Sequence, residues 1–285
     1  MKHIKYLFLV LCTIFVFEMI SFNKAEAACG VDADGVISES DIDNNCDSKP
    51  DIYEVKIYKL YLCTSAPTEP TTSSTVVLTP CSQIFNNASG ATASVTQGSD
   101  IDLDGTYTRP PNGTYTHGYA YMENYFGVTW SSQIASSMTG STGGTGVYCA
   151  SVAGAGTHQQ GSTHSNSSIC SSTDNLTAGK FVETLKHFGD FNGSFRSNVE
   201  VTNINGTTAK ITGYLVDTNE HLASSTGEVD KLEGLVTFAD PITITTETTS
   251  LSMKFNVGEG MHLNDRGSDV LQVGSGPFQA IMSAN

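Results

Sequence analysis

The chain has 285 residues, with 14 lysines and arginines against 29 aspartates and glutamates, for a formal net charge of −15. Such a charge repels phosphate backbones and anionic lipid headgroups, which disfavours nucleic acid and membrane surfaces as partners and leaves divalent cations and basic surfaces. The same charge also serves plain solubility, and the length accommodates one large domain or two small ones.

At the N-terminus, Lys2, His3 and Lys5 precede an apolar run from Tyr6 to Phe17, and Ala25-Glu26-Ala27 follows as an A-x-A site. A basic start, apolar middle and small-residue end is the order of a cleaved signal peptide. Residues 1–27 are therefore predicted to be removed, and the protein to be exported to the periplasm, the outer surface or the extracellular space. The apolar run is shorter than the roughly 18–20 residues a membrane span requires. A lipoprotein attachment at Cys29 is the alternative, but Glu26 stands where such sites want Leu. Cleavage removes Lys2, Lys5, Lys24, Glu18 and Glu26, which leaves 11 basic and 27 acidic residues and a net charge of −16.

Of seven cysteines, Cys12 leaves with the leader, and Cys29, Cys46, Cys63, Cys81, Cys149 and Cys170 remain. An even count in an exported chain reads as disulfides, and the layout favours neighbours: 29–46, 63–81 and 149–170. No C-x-x-C occurs, so neither redox catalysis nor structural zinc has its usual cysteine signature. Residues 28–52 form an acidic, disulfide-closed N-terminal segment. Within it, Asp32-Ala33-Asp34-Gly35, with Ile37 and Asp41 further on, resembles an EF-hand or dockerin loop, with Gly30 standing where the first carboxylate belongs.

From Tyr53 onward the pattern is β. In YEVKIYKLYL, Tyr53, Val55 and Ile57 share one face and the alternation then shifts to Tyr58, Leu60 and Leu62, which predicts a bulge near Ile57–Tyr58. Short strands are predicted at 75–78, 93–96 and 101–103. A long strand over 114–126 follows the turn Pro110-Pro111-Asn112-Gly113. Residues 131–178 are rich in Ser, Thr and Gly and read as a stapled loop insertion too poor in apolar residues to build a core. GKFVETLKHF looks like a brief helix. Strands are then predicted at 198–203, 209–216, 232–238, 242–245, 251–257 and 278–282, with Asn203-Ile204-Asn205-Gly206 as a hairpin turn. Many short strands separated by turns indicate a single all-β domain over 53–285, a disulfide-stapled antiparallel β-sandwich of the Ig-like or prealbumin-like kind.

The segment PPNGTYTHGYAYMENY resembles the P-x-G-x-Y strand of secreted prealbumin-like modules, the transthyretin and Cna-B type of β-sandwich. YEVKIYKLYLC before it, and SLSMKFNV and FQAIMS after it, occur in a similar order. This discontinuous resemblance spans about half of the mature chain and implies a sandwich fold in a cell-surface setting, with no assigned activity.

No G-x-S-x-G, S-x-x-K, H-E-x-x-H or phosphate-loop motif is present. The expectation is a non-catalytic, adhesin-like surface or envelope module whose partner is a surface protein or glycan; the alternative is a carbohydrate-binding or carbohydrate-active protein. Tyr115, Tyr119, Tyr121 and Tyr125 fall on one face of the 114–126 strand by the two-residue period and are candidates for a stacking platform, set against ordinary core packing. Asp100, Asp102 and Asp104 open a D-x-D-x-D-G run that is a candidate calcium site, although a half-buried strand has the same alternation. Six histidines remain after cleavage: His117, His158, His164, His187, His221 and His262. His158 and His164 share the 149–170 loop and could together hold a soft metal, against a background of solvated Ser/Gly-rich chain that favours free histidines.

Overall fold

The computed structural model describes residues 23–24, 28–159, 164, 166–189, 194–202 and 208–284. The predicted cleavage site and the leader's apolar run lie outside the described residues, as does the predicted turn at 203–206. In chain order the elements are β1 (Asn23–Lys24), α1 (Glu39–Asp43), β2 (Cys46–Ser48), β3 (Ile52–Cys63), β4 (Cys81–Val95), β5 (Thr106–Tyr107) and β6 (Gly113–Glu123). They continue with β7 (Tyr125–Thr129), β8 (Ser131–Gly140), β9 (Thr145–Ser151), β10 (Gly154–His158), β11 (Ser168–Ser171), β12 (Phe181–Leu185) and β13 (Arg196–Thr202). The last are β14 (Thr208–Val216), β15 (Lys231–Ile244), β16 (Leu251–Asn256), β17 (Met261–Asp265), β18 (Val270–Ser275) and β19 (Gln279–Ala284).

Among the described residues the protein is nearly all β and its strands form three sheets. The large sheet runs β1-β13-β14-β15-β6-β3-β7-β12-β10, with β4 on β3 and β5 on β4; the second runs β11-β9-β8-β18-β17-β2; β16 and β19 pair separately. The first two sheets meet where β18 approaches β7 and β12 and where β9 approaches β7, and β19 lies beside β15. Tyr53, Phe126, Phe181, Phe255, Leu263 and Val273 are among the buried side chains of the main core. Among the described residues no helix is long and apolar enough to cross a membrane.

The disulfides join Cys29 to Cys46, Cys63 to Cys81 and Cys149 to Cys170, the sequential pattern expected. Three bridges fit an oxidising compartment. The predicted bulge is also present: the register of β3 against both β4 and β6 shifts between Ile57 and Lys59. The long strand predicted over 114–126 is interrupted at Asn124, so that β6 pairs with Ile57–Cys63 and β7 with Ile52–Glu54 along the same edge of β3. Asn124 fills the break by donating its side-chain amide to Leu185 O (2.9 Å) while its carbonyl accepts Leu185 N–H.

Two readings of the sequence are corrected. GKFVETLKHF contains no helix; Phe181 and Glu183 alternate inward as β12, paired antiparallel to β7. Residues 131–178 are also more than a surface insertion, because β8, β9 and β11 build half of the second sheet and bury Ile134, Met138 and Ala150. The composition misleads because small residues here make a tight interior. Buried Ser167 and Ser168 bond their hydroxyls to His164 O (2.9 Å) and Leu271 O (2.6 Å), so they go inside without an unsatisfied group. Gly146 allows β9 to approach so closely that a Cβ there would lie 2.0 Å from the Ser171 backbone. Gly146→Ala is therefore expected to cost about 1–3 kcal/mol, the usual range for overpacking. Its denaturation midpoint, measured at constant slope, checks this; an unchanged midpoint would mean the strands can part at no cost.

The predicted strands at 75–78 and 101–103 do not form. Residues 75–78 contribute one isolated bridge, Thr68 to Val77, and the neighbourhood of 101–103 another, Asp100 to Lys254.

Candidate metal centre

β10 and β12 run parallel, with Gly156 opposite Glu183 and His158 opposite Leu185. Glu183 lies on the inward face of β12, and its side chain is only 1 % exposed. One carboxylate oxygen, Oε2, accepts hydrogen bonds from the backbone N–H (2.6 Å) and the hydroxyl of Ser275, on β18 of the second sheet. The other, Oε1, has no partner with hydrogen-bond geometry. It points to two imidazoles: His164 Nε2 is in direct contact, and His158 Nδ1 stands 3.7 Å away. One ligand atom from each of His158, His164 and Glu183 lies within 4.8 Å of the others.

Each side chain is positioned from a different direction. His158 ends β10. His164 lies in the loop closed by Cys149–Cys170, its backbone N–H donating to the side chain of buried Gln272 on β18 (3.2 Å). Its ring meets Phe181 edge-on at 5.8 Å, and Gly156 leaves room for both rings, since a Cβ there would come within 2.7 Å of Phe181 and 2.9 Å of His164. His158 and His164 stack nearly parallel, centroids 6.3 Å apart. Buried His187 also meets the His158 ring, edge-on at 5.7 Å.

Burial alone would push the Glu183 carboxyl upward. The His164 contact, the nearby His158 charge and the Ser275 hydroxyl outweigh it and hold the group down to about 2. Glu183 is thus a buried carboxylate whose Oε1 lies against His164 Nε2 and faces His158 Nδ1. Two imidazoles and a carboxylate are a donor set for zinc and neighbouring divalent transition metals, while calcium and magnesium prefer all-oxygen cages. Ser275 orients the carboxylate and Gln272 fixes the backbone of His164, as outer partners do in metal sites.

The structure unites His158 with His164, as their shared loop suggested, and adds Glu183, which the sequence reading passed over; His187, named there only among the scattered histidines, stands beside His158. The signal for Glu183 lay in the alternation Phe181-Val182-Glu183-Thr184-Leu185, which puts an acid on an apolar, inward face. A helical reading of the same segment hid it.

The other candidates are dispersed. Asp100, Asp102 and Asp104 do not converge into a group of ligand atoms: Asp100 pairs with Lys254 (3.7 Å), and Leu103 between the other two turns into the core. The alternation is that of a half-buried segment. In the EF-hand-like loop, Asp32 Oδ1 accepts the N–H groups of Asp34 and Val36 (both 2.9 Å), and Asp41 Oδ2 accepts Gly30 N–H (2.6 Å), so these carboxylates hold the turn itself. Tyr115 and Tyr119 are buried, whereas Tyr121 and Tyr125 are half-buried. The Tyr115 hydroxyl donates to Pro111 O (2.8 Å), and Tyr119 meets Tyr61 edge-on at 5.7 Å. The four rings do not form an open row. His262 stands apart beside Asp47, at 3.3 Å.

Comparison with protein-family models, curated proteins and solved structures finds no match.

Proposed function

We propose that the mature chain is an exported, non-catalytic binding or structural module of the cell surface or envelope, and that it carries a divalent transition metal on His158, His164 and Glu183. The observation that carries the metal is Glu183 Oε1, a buried carboxylate oxygen without a hydrogen-bond partner that faces two imidazole nitrogens. An ionised carboxylate in such a place is costly unless a cation shares it. Export rests on the leader sequence and agrees with the three disulfides. A non-catalytic role rests on the missing catalytic motifs and on the placement of the centre, which ties the β10–β12 edge of one sheet to β18 of the other.

Protein refolded without metal and dialysed against zinc is expected to retain one zinc per chain. At a hundredfold excess over Kd, binding is expected to stabilise the fold by about 2.7 kcal/mol. Glu183→Ala should abolish both the retained metal and the zinc-dependent rise in Tm. Elemental analysis and paired melts read the two effects. A wild-type protein that holds no zinc, copper, nickel or ferrous iron, and melts identically with and without them, would refute the metal reading.

A further inference from the structure

We infer that His187 is a fourth protein ligand, so that the centre closes on a tetrahedral zinc-class ion with three imidazoles and one carboxylate and no coordination position left for a substrate. This rests on the metal reading above and adds the coordination number, the metal class and the absence of an open site.

His187 is 1 % exposed, and neither ring nitrogen has a hydrogen-bond partner. A buried imidazole must carry at least one N–H and one lone pair, or two N–H groups, and leaving them unpaired is costly. Buried polar groups are nearly always paired, so an unpaired imidazole on the flank of a metal-ligating cluster has an evident use for its lone pair. Its position fits that use. Two imidazoles on one tetrahedral zinc, each with Zn–N near 2 Å, place their ring centroids roughly 5–6 Å apart. His187 stands 5.7 Å from His158, within that spacing, and is not yet among the residues whose ligand atoms lie within 4.8 Å of one another.

The backbone around His187 is held on both sides. Lys186 N–H donates to His158 O (2.9 Å), which locks the end of β12 to the end of β10, and Phe188 N–H donates to Ser194 O (2.7 Å). Side-chain rotation is then the freedom that remains to bring a nitrogen onto the ion. Three neutral imidazoles and one carboxylate leave a zinc centre with a single positive charge. Four protein ligands complete the tetrahedron of a structural site, whereas catalytic zinc keeps one position for water.

Zinc-edge X-ray absorption on the loaded wild-type protein tests this without any substitution. The expected first shell is four light ligands with three imidazole scattering signatures. Cobalt replacement should give the intense visible bands of a tetrahedral ion. His187→Ala is expected to bind cobalt roughly 10–100-fold more weakly and to shift those bands toward higher coordination as water enters. Two imidazoles in the wild-type shell, or equal affinity and an unchanged cobalt spectrum in His187→Ala, would overturn the assignment while leaving a His158–His164–Glu183 site intact. A wild-type chain that takes up neither zinc nor cobalt would overturn both readings together.

Discussion

Full reduction of the three disulfides is expected to destabilise the protein by roughly 9 kcal/mol, about 3 kcal/mol for each bridge in the chain-entropy account. The bridges span sequence separations of 17, 18 and 21 residues, and the loops they close neither nest nor overlap, so their effects should approach additivity. Five of the six bridged cysteines are buried and Cys81 is half-buried. Two of the bridges link residues already opposite one another in sheet pairs, Cys63 with Cys81 between β3 and β4, and Cys149 with Cys170 between β9 and β11. The third ties Cys29 to Cys46 of β2 and closes the loop that carries α1. A loss of that size rivals the whole stability of an ordinary domain. Reduced protein should therefore be unfolded, or close to it, at room temperature. Urea melts with and without reductant, accompanied by the three paired Cys→Ser variants, measure the total and its parts. A reduced protein with an unchanged midpoint would show that sheet packing alone carries the fold.

Residues with strong local rules announced their structure. The paired cysteines, the phase change around Ile57–Tyr58 and the alternating runs at 198–203, 209–216 and 251–257 could be read directly, because each depends on spacing along the chain. The second sheet could not. Its strands β8, β9 and β11 are built from Ser, Thr and Gly, whose inward positions are filled by backbone contact and hydroxyl hydrogen bonds in place of bulky side chains. β17 and β18 were not predicted as strands. Chain order also says nothing about the pairing of β10 with β12 across the whole 159–180 connection.

The candidate metal centre was half legible for the same reason. His158 and His164 share a disulfide loop, and that closure is visible in sequence. Glu183 arrives on β12 and His187 from the bend just after it, both beyond the loop, so only the tertiary pairing brings them near. Conversely, Asp100, Asp102 and Asp104 looked like a site because they are regularly spaced. A two-residue period places the three carboxylates on the solvent side while Leu103 between two of them packs into the core.

Stability is expected to fall as pH rises from about 4.5 to 7, by up to roughly 3 kcal/mol, because of one buried acid on the tyrosine-rich part of the large sheet. Glu233 sits on β15 between Tyr121 of β6 and Tyr214 of β14, and it is fully buried. Its carboxyl is raised to about 7, first by burial and further by Glu220; the Tyr119 hydroxyl and Lys59 pull the other way and are outweighed. Tyr119 stands close enough to act on the group, yet neither carboxylate oxygen has a partner with full hydrogen-bond geometry. In the unfolded chain the same side chain ionises near its usual 4.5. Between those values the folded state holds a proton that the unfolded state releases. Raising the pH through this window therefore favours unfolding, and the penalty levels off above about 7. Glu233→Gln removes the titration while keeping shape and polarity. The variant should match wild type near pH 4 and exceed it by roughly 3 kcal/mol at pH 8. Comparing the two proteins cancels every other titrating group, Glu220 and Lys59 included. Urea denaturation at both pH values provides the four stabilities. If wild type and Glu233→Gln keep a constant difference from pH 4 to pH 8, Glu233 is ionised throughout, and the tyrosines around it must solvate the charge.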